Sequence, residues 1–149
     1  MNKNNGRTGM SMFAYHLLTA PLEQNLNAMK KIKTFEDACK ALKINPALLL
    51  DVSMLPEGDR KHIIANYKLI KIAEALNEGW KPDWENYNER KYYPWFSMDT
   101  PSGFGFSYSH CDHSLSSSGV GSRLCFKSSE LAEYAGKQFE AIYNDYLTF

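Results

Sequence analysis

Apolar positions recur along this chain with two periods: a helical one early and again near the end, and an alternating one in between. Phe35, Ala38, Cys39 and Leu42 fall at i, i+3, i+4 and i+7, the buried stripe of a short helix. Thr34 is placed to cap it, Glu36 and Asp37 favour its first turn, and Asn45-Pro46 ends it. Leu48 to Val52 reads as a brief apolar linker. A second helix opens at Pro56, carries Glu57 and Asp59 in its first turn and stops at Gly79. Ile63, Ile64, Tyr67, Leu69, Ile70, Ile72, Ala73 and Leu76 cover more than half its circumference, which predicts a central helix buried on several sides. Trp80-Lys-Pro-Asp-Trp84 reads as a turn with two large anchors, and residues 85–90 as one more helical turn.

The period of two then takes over. Residues 92–98 form a strand candidate that Pro94 demotes to an edge or a bulge. Phe104, Phe106 and Tyr108 alternate with Gly105 and Ser107. Residues 121–127 alternate Leu124 and Phe126 against Arg123, Cys125 and Lys127, a third strand after a Ser/Gly-rich, mobile loop at 114–119. A final helix follows Ser128 or Ser129, with Leu131, Tyr134, Ala135, Gln138, Phe139, Ile142, Tyr143 and Tyr146 along one stripe. Gly136 within it costs about 1 kcal/mol against Ala, which points to close approach of another element. The expectation is a two-layer α+β domain, about three helices packed on a small three-stranded antiparallel sheet, over residues 32–149. Residues 1–12 are polar and expected to be disordered, and 13–28 show no firm pattern. Residues 1–31 therefore read as a flexible or appended segment.

Composition narrows the classes. A chain of 149 residues with 44% apolar and 23% charged residues can bury one sizeable core without disulfide or metal. Net charge is zero, but residues 80–149 carry six basic against nine acidic side chains, the wrong sign for phosphate neutralisation across that half. Cys39, Cys111 and Cys125 are an odd number without framework spacing, as expected of free thiols in a reducing compartment. No apolar run reaches the length of a membrane span, and the stretch 12–20 contains His16 and lacks a small-x-small cleavage site. A cytoplasmic protein with no membrane attachment is the expectation.

Four aromatic residues precede Trp80; the other 16 of 20 lie from Trp80 onward. They gather in Lys91-Tyr-Tyr-Pro-Trp-Phe96, in Gly103-Phe-Gly-Phe-Ser-Tyr-Ser109 and in the last helix. In the first of these runs, in Val120-Gly-Ser-Arg-Leu-Cys-Phe-Lys-Ser-Ser-Glu-Leu-Ala-Glu-Tyr-Ala-Gly-Lys-Gln-Phe139, and in Lys33-Thr-Phe-Glu-Asp-Ala-Cys-Lys-Ala-Leu42, the chain resembles a family of small proteins encoded by gut Bacteroidota and their tailed phages. The resemblance spans residues 32–149. It implies a phage or mobile-element accessory role and carries over no catalytic residue.

Three constellations can bear function. Consecutive large aromatics cannot all point inward from one strand, so Tyr92, Tyr93, Trp95 and Phe96, flanked by Arg90 and Lys91, predict an exposed aromatic edge that binds a protein partner or a second copy. Phe104, Phe106 and Tyr108, with Arg123 and Lys127, could alternatively stack single-stranded nucleic acid, although the same alternation describes a core face. His110-Cys-Asp-His113 is the only cluster with ligand chemistry. Cys111, His113 and Cys125 are three candidate ligands for a metal-dependent enzyme, short of the four of a structural zinc site. The primary expectation has no cofactor and no catalytic residue. The loop at 114–122 lacks a Gly-Lys-Ser/Thr and leads into a strand, so it reads as a turn and not a phosphate loop.

Overall fold

The computed structural model describes residues 12–47, 50–100 and 103–148. Of the residues 1–12 expected to be disordered, 1–11 lie outside the described residues, as do Leu48 and Leu49 of the apolar linker; Met12 is the first residue of a helix. Among the described residues, five α-helices and one antiparallel hairpin make up an α+β fold: α1 (Met12–Lys31), α2 (Phe35–Ala41), α3 (Glu57–Asn77), β1 (Lys91–Thr100), β2 (Gly103–Asp112), α4 (Ser129–Gln138) and α5 (Glu140–Leu147).

Local chemistry sets the helix ends. Thr34 is extended, and its Oγ1 accepts from the Asp37 N–H at 3.1 Å, while the Asp37 carboxylate accepts from the N–H groups of Lys33 and Thr34, each at 3.0 Å. Those bonds, the one from Lys33 first, hold the Asp37 carboxyl below its ordinary value. α2 stops at Ala41, with Lys43 left-handed at φ 58°, before Asn45-Pro46 is reached. α3 runs from Pro56, its N-cap, to left-handed Glu78 and then Gly79 at φ 87°. Ala65, Leu69, Ile72, Ala73 and Leu76 are buried, and α1, α2, α4 and α5 all touch this helix, the central element that its wide apolar face predicts.

The core reaches further back than residue 32. Asn25, Ala28 and Ile32 are buried, the Asn25 amide donates to Ser128 Oγ at 3.0 Å, and Tyr134 OH donates to the Ile32 carbonyl at 2.7 Å. The last turns of α1 thus pack with the body of the protein. Their contact residues are small or polar, which leaves little apolar signal to read.

The sheet has two strands, not three. Residues 121–127 meet β1 through one bridge, where Tyr92 N–H donates to Phe126 O at 3.0 Å and Phe126 N–H donates to Tyr92 O at 2.7 Å. Peptide groups alternate in direction along a strand, so the next outward-facing position on β1 is Pro94, which has no N–H to offer. On the other segment Gly121 sits at φ 54° and Gly121–Arg123 is a 3-10 turn. The remaining polar groups of the would-be strand go to a side chain. Asn77, buried at the end of α3, donates to Cys125 O at 2.8 Å and accepts from Lys127 N at 3.1 Å. One amide thereby replaces a neighbouring strand. The expected turn of helix at 85–90 is instead an irregular loop.

The final helix is capped by Ser128, whose Oγ accepts from Leu131 N. It breaks at Phe139 (φ −113°, ψ 24°) into α4 and α5. Close approach at Gly136 is real: a Cβ there would stand 2.5 Å from Cε2 of Phe106 and 2.9 Å from Cβ of Pro94. α4 therefore lies directly on the hairpin.

Candidate functional site

The hairpin register decides which aromatics face out. Trp95 pairs with Tyr108, but the next pair is Phe96 with Phe106, so Ser107 is an extra residue on β2. Paired residues share a face. Lys91, Tyr93 and Trp95 therefore lie with Asp112, His110 and Tyr108 on one face, while Tyr92, Pro94 and Phe96 lie with Cys111, Ser109 and Phe106 on the other. The bulge puts Phe106 and Tyr108, two positions apart, on opposite faces.

The inner face packs on α4 and α5. Phe96 stacks on Phe104 with centroids 4.9 Å apart and meets Tyr143 at 4.7 Å. Phe106 turns its ring to Gly136, and its N–H donates to the Glu140 carboxylate at 2.9 Å. Ser109 and Ser129 share a hydrogen bond at 2.7 Å.

The outer face is covered at one end and open at the other. At the covered end Lys91 is 1% exposed, with its ammonium under the loop 83–89. It donates to the carbonyls of Asp83, Asn86 and Glu89, pairs with the Glu89 carboxylate at 3.3 Å and lies 5.4 Å from the centre of the Trp84 ring. Tyr93, also buried, donates to Asp112 at 2.7 Å; burial, and then that carboxylate, push its phenol up to about 12. At the open end Trp95 and Tyr108 stack at 5.9 Å with planes 6° apart, and are 45% and 50% exposed. His110 stands edge-on to both, at 6.0 and 6.5 Å.

Beside this pair, between the free edge of β1, residues 117–120 and α5, lies an apolar cleft of about 310 Å³. Phe96, Leu124 and Tyr143 form its inner wall, and Trp95, Met98 and Leu147 are its exposed rim. Among the described residues the sole bridge on that strand edge is the one at Tyr92.

The candidate residues are thus redistributed. Of the expected aromatic edge, Trp95 and Arg90 are exposed, Tyr92 and Phe96 are half-buried, and Tyr93 and Lys91 are interior. Of the expected stacking platform, Tyr108 reaches the open face, while Phe104 and Phe106 belong to the inner one. Lys127 is engaged with Glu78 at 3.6 Å, and Arg123 lines a different cleft. Successive bases would find no row of rings. The ligand trio is also dispersed. Cys111 lies on the inner face, His113 donates from Nδ1 to the Tyr87 carbonyl at 2.8 Å, and Cys125 is fully buried. Burial pushes the Cys125 thiol up to about 11. Among the described residues no three His, Cys, Asp or Glu side chains are gathered to hold a metal.

The signal missed in the sequence is His110 beside Trp95 and Tyr108, which no fixed spacing reveals because a bulge sets the register. Among the described residues no helix is long and apolar enough to cross a membrane. Comparison of the chain with family models, with curated proteins and with solved structures gives no match in any of the three.

Proposed function

We propose that the protein is a non-enzymatic binding protein that takes an apolar, extended segment of a partner protein against the Trp95–Tyr108 pair and into the adjoining cleft. The observation that carries this reading is the pair itself: two parallel, stacked rings, about half exposed, at the rim of an apolar cleft. Rigid aromatics next to a pocket are the usual anchors of protein interfaces. Beyond Pro94, which has no N–H, the Phe96 backbone on the free edge of β1 offers main-chain groups to an extended segment, while the cleft accepts its side chains. A phage or mobile-element setting rests on the resemblance at residues 91–96 and 120–139.

Display of random peptides against the intact protein tests the reading. Apolar, extended peptides should be selected, and binding should be lost in Trp95→Ala and Tyr108→Ala but kept in Tyr87→Ala, an exposed aromatic elsewhere. Selection insensitive to Trp95 would refute it. Concentration-dependent sedimentation that Trp95→Ala abolishes would make the partner a second copy.

A further inference from the structure

A second cleft, of about 570 Å³, lies where the C-terminal half of α3 meets the loop that follows it. Its walls come from α3, from residues 79–82 and from the 3-10 turn at Gly121–Arg123. The chain as a whole has zero net charge, yet this cleft gathers Lys71, Lys81 and Arg123 against the single carboxylate Glu74. Lys71 takes that carboxylate, at 2.8 Å. Lys81 and Arg123 have no acidic partner among the described residues.

Neutral polar and aromatic groups complete the wall. Ser122 Oγ accepts from the Trp84 indole N–H at 2.8 Å, which leaves its own O–H to donate. Trp80 and Ile70 supply flat and apolar surface, and the Trp80 indole is tied to Glu89 at 3.3 Å. The turn carrying Ser122 and Arg123 is fixed at its start, where Gly121 N–H donates to Ser116 Oγ at 2.8 Å. These groups are positioned before any ligand arrives, which lowers the ordering cost of binding.

We propose that this cleft binds a small phosphate-bearing ligand with a planar ring, a nucleotide by chemical class. The guanidinium fork of Arg123 and the ammonium of Lys81 meet the phosphate oxygens, the Ser122 hydroxyl donates to the same group, and the ring lies against Trp80. The volume suits a ligand of that size.

Calorimetric titration of the full chain with adenosine monophosphate, pyrophosphate and adenosine tests this. Adenosine monophosphate should bind at micromolar to millimolar concentration, pyrophosphate more weakly, and adenosine not measurably. Lys81→Gln and Arg123→Gln should each weaken adenosine monophosphate about tenfold or more, with the melting temperature of the free protein unchanged because both side chains are exposed. Trp80→Leu should weaken the nucleotide and leave pyrophosphate unaffected. No binding of either phosphate compound at millimolar concentration, or unchanged affinity in the two cation variants, overturns the proposal. Pyrophosphate binding as tightly as the nucleotide overturns the role given to Trp80.

Discussion

The two faces of the hairpin are made of the same kinds of residue and have opposite fates. Phe96, Phe104 and Phe106 are pressed against α4 and α5, where a glycine is needed to let them in. Trp95 and Tyr108 are drawn from the same two runs, also stack, and stand in solvent. Hydrophobicity does not separate them; register does, through one extra residue at Ser107. Burial thus follows from which helix covers a face, and exposure marks the face that no helix covers.

The comparison can be broken most severely at the bulge. Deleting Ser107 forces either the inner phenylalanines or Tyr108 to change faces, and it should cost at least about 3 kcal/mol, the loss of one buried Phe from a core. Urea unfolding would measure it, and a midpoint close to that of the parent protein would show that register does not assign the faces. Gly136→Ala comes next. A methyl group aimed at Phe106 and Pro94 should destabilise by about 1–3 kcal/mol, although alanine is the better helix former. The outer pair behaves differently: Trp95→Ala should lower stability by about 1 kcal/mol, the scale of one exposed aromatic pair, yet remove peptide binding. A large loss of stability there would move Trp95 into the core's account.

The remaining effect, silent at neutral pH, is that of alkali. Burial raises the Tyr93 phenol from 10.0 to about 12, raises that of Tyr143 in the same direction, and raises the Cys125 thiol from 9.0 to about 11. A group whose value is raised on folding stabilises fully below its unfolded value, and that stability is lost as pH rises towards the folded one. Thermal melts should therefore be level up to about pH 9 and decline between pH 9 and 12. The decline should be shallower in Tyr93→Phe.

How much of this is legible in the sequence varies by element. α2 and α3 are plain, because capping at Thr34, the stop at Gly79 and the apolar stripes are local properties of a helix. Gly136 announces its close contact for the same reason. α1 is obscured because its inward positions are Asn25 and Ala28. The third strand reads as an alternation, but Leu124, Cys125 and Phe126 are all buried, and it fails as a strand since Pro94 faces the side on which it would pair and Asn77 satisfies its outer groups. The site was half visible. Trp95 and Tyr108 stood in separate candidate sets, and their meeting depends on a bulge that no residue pattern marks. The cation cleft joins two stretches, 70–82 and 122–123, and distance in sequence hid it.

Lys91 has one more consequence. The loop 83–89 turns its carbonyl oxygens inward onto a positive centre, as a calcium-binding loop does, but here the cation is carried on the chain itself. Its order does not depend on ion supply, and a chelator should leave it untouched. Lys91→Met, which keeps the length of the side chain and removes the charge, is the equivalent of stripping such a loop of its calcium.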